Sequence, residues 1–282
     1  MDKIAFVILH YKVAEITVQC VEYILNQNYD AFKIIIVDNH SDNGTCEQLC
    51  NRYNGNNKIE IISLERNYGF AKGNDIGFLF AKYNYQADYI VVLNNDLMIE
   101  DRNFCKKLVS LELDANIGVI GPDIINLEGE HQNPKMDCIT SMSGLRKAIL
   151  ITKVKLLLIP ALYALRGLKK HYVMPETKHT ETQRNVPLHG ACLIFVKQYI
   201  ERVQYAFFPD TFLYVEEEFL YYNIRRMGLQ TLYVHDLWVK HLEDVSTKSI
   251  SKNAKQKRLF ELRNALTSML KLKEQWQQDH FI

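Results

Sequence analysis

The chain is poor in the residues that break or cross-link a fold. Its 282 residues include only 12 glycines and 6 prolines, which excludes a collagen-like repeat and a low-complexity stretch. Of the 6 cysteines (Cys20, Cys46, Cys50, Cys105, Cys138 and Cys192), only Cys46 and Cys50 lie close together. No second Cys/His pair follows at zinc spacing, so reduced thiols are expected rather than a metal or disulfide framework. No apolar run approaches the roughly 20 residues that cross a membrane. The run from Leu156 to Leu165 is bounded by Lys155 and Arg166. The apolar run opening at Ile4 meets His10-Tyr11-Lys12 too early for a signal peptide, and a cytoplasmic protein is expected. Two phosphate-binding signatures are missing as well. Without G-x-x-x-x-G-K-[ST] a P-loop NTPase is disfavoured, and without G-x-G-x-x-G after the first strand so is a dinucleotide site.

Net charge is nearly absent too, at 34 basic and 33 acidic residues. That balance hides a segregation. Residues 138–172 hold seven cations (Arg146, Lys147, Lys153, Lys155, Arg166, Lys169 and Lys170) and no acid. Residues 247–282 are also basic, so the two segments together carry +12 and the remainder −11. With 48% hydrophobic and 24% charged residues the composition is globular, and the length suits one large domain or a domain with an appendage.

What is present is a regular alternation of short apolar runs and longer amphipathic ones. Ile4–Leu9, Lys33–Val37, Ile59–Ile62 and Tyr89–Leu93 read as strands, with Gly118–Gly121 a further short one. Residues 13–27, 45–53, 71–84 and 101–112 read as helices between them. This spacing predicts right-handed βαβ units and a parallel sheet covered on both faces. Ligands of such sheets bind beyond the carboxyl ends of the strands, where Asp38, Asn67 and Asp96 fall. The pattern breaks over residues 126–186, where helices are expected. It resumes with strand Ala191–Val196, helix Glu216–Met227, strand Gln230–Val234 and short strand Leu237–Lys240. The last 30 residues read as an amphipathic helix with Leu259, Leu262, Leu266 and Leu270 on one face.

Several polar groups stand where chemistry would occur. A hard divalent cation takes oxygen ligands, so Asp96 could hold Mg²⁺ or Mn²⁺ while Asn94 meets sugar hydroxyls; the plain alternative is a turn capping the next helix. Asp38 could accept a hydrogen bond from a nucleobase or ribose, or simply shape its turn. Gly69 and Gly73, just ahead of a helix, could let backbone N–H groups approach a ligand. Glu216-Glu217-Glu218 suits the dipole of a first helical turn, yet three adjacent carboxylates repel. One pressed into a cleft would have a raised pKa, fit for a general base. His241 gains weight only if Asp96 is a metal ligand in the same pocket.

In order, Val7-Ile-Leu-His-Tyr11, Val37-Asp-Asn-His-Ser-Asp42, Asn67-Tyr-Gly-Phe-Ala-Lys-Gly-Asn74, Leu93-Asn-Asn-Asp96, His189-Gly-Ala-Cys-Leu-Ile194, Tyr214-Val-Glu-Glu-Glu-Phe-Leu220 with Arg225, Val239-Lys-His241 with Ser246, and Arg263-Asn264 resemble the motifs of the family 2 glycosyltransferases. The likeness is to the rhamnosyltransferase-like bacterial members that build cell-surface polysaccharides. It covers about residues 4–125 and 187–270.

The resemblance implies an α/β GT-A fold, a mixed sheet flanked by helices, with a basic helical insertion and a C-terminal helix. Residues 1–125 would be the nucleotide-sugar half, 126–186 the insertion, 187–246 the acceptor half and 247–282 the basic helix. It implies Asp38 on the base through N3–H, with Asn67, Gly69, Lys72, Asn74, Asn94 and Asn95 on nucleotide or sugar. It implies Asp96 and His241 on Mg²⁺ or Mn²⁺, and Glu217 as the base of an inverting transfer. The partners implied are a nucleotide-diphospho-sugar donor and a saccharide or lipid-linked saccharide acceptor.

Four positions depart from the family pattern: Lys12 and Asp75 replace asparagines, Glu217 replaces an aspartate, and Phe219 replaces an acid. The basic segments also have the composition of a peripheral helix on an anionic membrane surface, on its inner face; an ordinary core helix plus a lid is the alternative. No fold motif supports nucleic-acid binding. A sugar nucleotidyltransferase would carry a Gly-rich basic loop where His10-Tyr11-Lys12-Val13 stands, and an inert glycan-binding relative would have lost its base or metal ligand.

Overall fold

The computed structural model describes residues 1–164, 181–242 and 254–279. Arg166, Lys169, Lys170 and Ser246 of the readings above lie outside the described residues.

Nine strands form one sheet in the order β3-β2-β1-β4-β8-β6-β9-β5, with β7 added on β9. Strands β1 (Ile4–His10), β2 (Phe32–Asp38), β3 (Ile59–Ser63) and β4 (Tyr89–Asn94) are mutually parallel. Their apolar runs are unbroken because both faces are covered. Helices α1 (Ala14–Leu25), α2 (Thr45–Arg52) and α4 (Phe104–Val109) pack on one face. Helices α3 (Gly69–Phe80, continued by a π turn to Tyr85), α6 (Lys197–Ile200) and α7 (Glu216–Arg226) pack on the other.

The parallel prediction holds for these four strands and then fails. Strand β8 (Cys192–Val196) enters between β4 and β6, antiparallel to both. The sheet is therefore mixed. Two strand readings were too short. Strand β6 runs from Ile117 to Asn126, and the segments read as separate at 230–234 and 237–240 form one strand, β9 (Gln230–His241). A register shift between Pro122 and Asp123 breaks the alternation across the β6–β9 pair, which divides its pattern in the sequence. The two-residue strands β5 (Leu97–Met98) and β7 (Gln183–Arg184) both pair with β9.

The insertion contributes one long helix, α5 (Met142–Ala164), lying against the C-terminal helix α8 (Ala254–Asp279). A third apolar cluster joins Leu145 and Ile149 of α5, Phe219 of α7, and Met269, Leu272 and Trp276 of α8. Of the face expected for α8, Leu262 is buried and Leu266 packs on this cluster, while Leu270 is exposed and Met269 is buried beside it. Phe219 is fully buried there and stacks on Phe208 at 4.4 Å, which accounts for an apolar residue in place of the family's acid. No helix among the described residues is long and apolar enough to cross a membrane.

Candidate active site

The polar residues singled out from the sequence gather at the carboxyl ends of the parallel strands, in two groups. The first surrounds Asp96. Leu97 of β5 pairs antiparallel with His241, the last residue of β9, and Leu242 N–H donates to the Asp96 carbonyl at 3.0 Å. This short ladder sets Asp96 Oδ1 at 3.4 Å from His241 Nε2. His241 Nδ1 lies 2.7 Å from Gln132 Oε1. A neutral ring donates from Nδ1 there, so Nε2 presents its lone pair towards Asp96. Asp96 Oδ1 is buried and has no hydrogen-bond partner among the described residues. An orphaned carboxylate oxygen beside a bare imidazole nitrogen fits a divalent cation. No group of three or more His, Cys, Asp or Glu side chains poised for a metal occurs among the described residues. As ligands the two side chains would leave the remaining positions to other oxygens, as Mg²⁺ usually has them.

The second group lies alongside. His189 stacks edge-on to His241 with ring centroids 6.1 Å apart. It accepts the Ala191 N–H at Nδ1, and burial pushes its pKa well down, so it is neutral. Glu217, in the first turn of α7, accepts the Gly190 N–H at 3.2 Å and lies 3.7 Å from Lys135 Nζ. Gly190 lets Glu217 lie close against the backbone, because a Cβ at that position would meet Glu217 Oε1 at 3.0 Å and push its carboxylate aside.

The electrostatics of the acidic triplet differ from the sequence expectation. Burial raises Glu216 to about 8, with the charge of Glu217 adding to it. Burial also raises Glu218, which accepts the Ile139 N–H. For Glu217 burial acts upward too, but the Lys135 ammonium and backbone N–H groups outweigh it and hold the carboxyl below its ordinary value. The raised pKa thus falls on the neighbours, and Glu217 carries the charge. Lys135 is correspondingly raised: burial opposes its charge, and Glu217, Glu218 and Asp137 overcome that.

A strained elbow presents the triplet. Tyr214 and Val215 have φ of +72° and +74°, and a β-branched residue in the left-handed region is a genuine outlier. The preceding loop is fastened to α3. Phe70 N–H donates to Phe212 O at 2.8 Å, and the Asp75 carboxylate accepts from Ala206 and Phe207 N–H at 2.8 and 3.0 Å.

The donor-side residues from the sequence are held by one another. Asp38 is 2% exposed and accepts the Ser41 N–H at 3.1 Å. Asn67 Oδ1 accepts from Asn39 Nδ2 and Gly69 N–H. Asn74 Nδ2 donates back to Phe70 O, and Asn95 Nδ2 to Thr17 Oγ1, beside the buried His10. Asn94 ends β4 with its backbone N–H on Ala191 O. Lys72 Nζ sits 4.9 Å above the Tyr68 ring. Packing explains the two glycines. A Cβ on Gly69 would meet Phe212 O at 2.2 Å, and one on Gly73 would meet Leu9 Cδ1 at 2.6 Å. Lys12 has φ of +64°, a conformation that the usual asparagine adopts at lower cost.

Residues absent from the sequence reading of the site complete it. Gln132 orients His241, Asn133 receives the His189 N–H at 2.7 Å, and Lys135 sets the charge of Glu217. All three come from the start of the segment between the family motifs, where no spacing marks them.

The chain is 25% identical over 233 residues to the low-salt glycan biosynthesis hexosyltransferase Agl10 of Haloferax volcanii, covering 81% of this chain and 64% of that one. It is 28% identical over 120 residues to the dTDP-rhamnosyl transferase RfbF of Shigella flexneri, covering 43% and 38%. The chain thus spans less than two thirds of either relative. Among solved structures, the mannosyltransferase PcManGT of Pyrobaculum calidifontis, in complex with GDP-Man and Mn²⁺, superposes with a TM-score of 0.54 at 13% identity, covering 94% of this chain and 69% of that one. This likeness carries the GT-A fold. Residues 5–156 match the profile described as Glycosyl transferase family 2, and the chain belongs to that family.

Proposed function

We propose that the chain is an inverting, metal-dependent glycosyltransferase that moves a sugar from a nucleotide-diphospho-sugar to a hydroxyl of a lipid-linked saccharide, in cell-surface polysaccharide synthesis. The observation that carries this reading is the run Asp96, His241, His189, Glu217, in which neighbouring contacts bring a cation-fitting pair beside a carboxylate held in its charged form.

Asp96 and His241 would hold Mg²⁺ or Mn²⁺. The ion supplies charge neutralisation for the diphosphate that departs. Asp38 and the loop Asn67–Asn74, with Asn94 and Asn95, border the nucleotide and sugar. The Glu217 carboxylate accepts the proton of the acceptor hydroxyl as its oxygen bonds to the anomeric carbon. The bond from that carbon to the diphosphate oxygen breaks on the opposite face, and the nucleoside diphosphate leaves with the electron pair. Attack from the face opposite the departing diphosphate inverts the anomeric centre, so an α-linked donor gives a β product. One carboxylate suffices, because no glycosyl-enzyme forms. Holding donor and acceptor together supplies the orientation.

The test is a screen of nucleotide sugars for Mn²⁺-dependent binding by calorimetry, followed by turnover of the best donor. Glu217→Gln is expected to bind that donor as the parent does and to lose transfer. Full turnover by this variant, or donor affinity indifferent to Mn²⁺, overturns the reading.

A further inference from the structure

Helix α5 is apolar on two opposite sides. One side, Leu145 and Ile149, packs into the cluster with α7 and α8. The other side has no protein against it among the described residues. It carries Leu150 and Leu157, 63% and 79% exposed, with Ile151, Val154 and Leu158 beside them. At about 100° per residue these five project within an arc of about 120°, directly away from the packed side. Isolated exposed leucines are ordinary, but a contiguous strip of five on one helix is not.

The charges around the strip identify what covers it. Arg146 and Lys153 flank one border, Lys155 the other, and Lys147 lies within it, all four exposed. None of them has an ion-pair partner among the described residues, and α5 contains no acid. A second copy docking through this strip would set four cations against four cations with nothing between them. A bilayer with anionic headgroups satisfies both features: the leucines enter the acyl boundary and the cations meet lipid phosphates. The remainder of the chain outside the two basic segments, at −11, is repelled by the same surface, which favours an approach through the basic side that carries α5.

We propose that the outward face of α5 is a membrane-docking surface that seats the chain on an anionic bilayer. The consequence concerns the site. α5 rests on Phe219, two residues from Glu217, so the bilayer lies about one helix diameter, about 10 Å, from α7. A saccharide carried on a lipid then reaches Glu217 from the membrane. The docking surface rests on the transferase reading only for what the membrane delivers.

The experiment is co-sedimentation of the full chain with vesicles of phosphatidylcholine alone and of equimolar phosphatidylcholine and phosphatidylglycerol. Binding is expected to the mixed vesicles only, falling with added salt. The exposed positions tolerate change, so Leu150→Gln/Leu157→Gln should keep the parent circular dichroism and melting curve. That variant should lower the vesicle partition coefficient about tenfold or more. Lys147→Gln/Lys153→Gln should lower it about tenfold or more on mixed vesicles. Binding to neither vesicle, or binding unaffected by Leu150→Gln/Leu157→Gln, overturns the proposal. A dimer in solution that this variant dissolves overturns it in favour of a second copy. Hydrolysis of a soluble donor should be equal in parent and variant, so failure of docking and failure of the transferase reading are separate results.

Discussion

Replacing Glu216 by glutamine tests how the acidic triplet is tolerated. Glu216 is buried, its Oε1 has no hydrogen-bond partner among the described residues, and its carboxyl is raised from 4.5 to about 8. Between those two values the folded chain holds a proton that the unfolded chain has released. Folding then takes up a proton, so stability is fully present below pH 4.5 and is lost as pH rises through about 8. At about 1.4 kcal/mol per unit, the interval sets a ceiling of about 5 kcal/mol on that loss. Glu216→Gln keeps the shape and cannot ionise. Thermal unfolding of both proteins at pH 5 and pH 9 reads the difference. The variant should match the parent at pH 5 and melt several degrees higher at pH 9, since each kcal/mol is worth about 2 °C or more at this size. A difference equal at both pH values refutes the argument, because a packing effect does not titrate. The result bears on function: with Glu216 protonated at neutral pH, the charge of the triplet resides mainly on Glu217.

Two further predictions concern the same machinery. Lys135→Met removes the cation that keeps Glu217 ionised, leaving burial and the neighbouring acids to favour its protonated form. The acid limb of the turnover–pH profile should move to higher pH, and an unmoved limb refutes the role given to Lys135. Gly73→Ala and Gly77→Ala would place a Cβ at 2.6 Å from Leu9 Cδ1 and 2.4 Å from Val7 Cγ1, forcing α3 off the sheet. Each should cost about 1–3 kcal/mol in urea unfolding. Gly44→Ala, with nothing within 4 Å but φ of +80°, should cost about 1 kcal/mol from its backbone alone. Equal losses at all three positions refute the close-packing account.

The legible parts of this fold share a physical cause. β1, β2 and β4 are buried on both faces, so their apolar runs are continuous and their ends are sharp. Asp38 and Asp96 stand out because each is the first acid after such a run. β9 was read in two pieces because a register shift interrupts its alternation. The position of β8 could not be read, since an antiparallel strand inserted into a parallel sheet has the same composition as its neighbours. The face expected for α8 holds at Leu262 and Leu266 and departs at Leu270, because beyond them the helix turns Met269 and Leu272 towards α5 and α7 together. The pairing of Asp96 with His241 depends on the two-residue strand β5, which carries no periodicity at all.

The segment after β6 was the least legible and is the most informative about the site. Over a few residues it places Gln132 on His241, Asn133 on the backbone of His189, Lys135 on Glu217, and the Ile139 N–H on Glu218. These contacts reach both the cation-fitting pair and Glu217, the proposed base. A lone lysine or asparagine in an unpatterned stretch announces none of this, because what matters is which buried charge it meets after folding. The same stretch leads directly into α5. A chain in which this segment differs would therefore change the charge of the proposed base Glu217, the orientation of the His241 imidazole and the proposed docking face together. Variation here alters how the reaction is run as well as what is brought to it, although the strands and the strand-end acids stay the same.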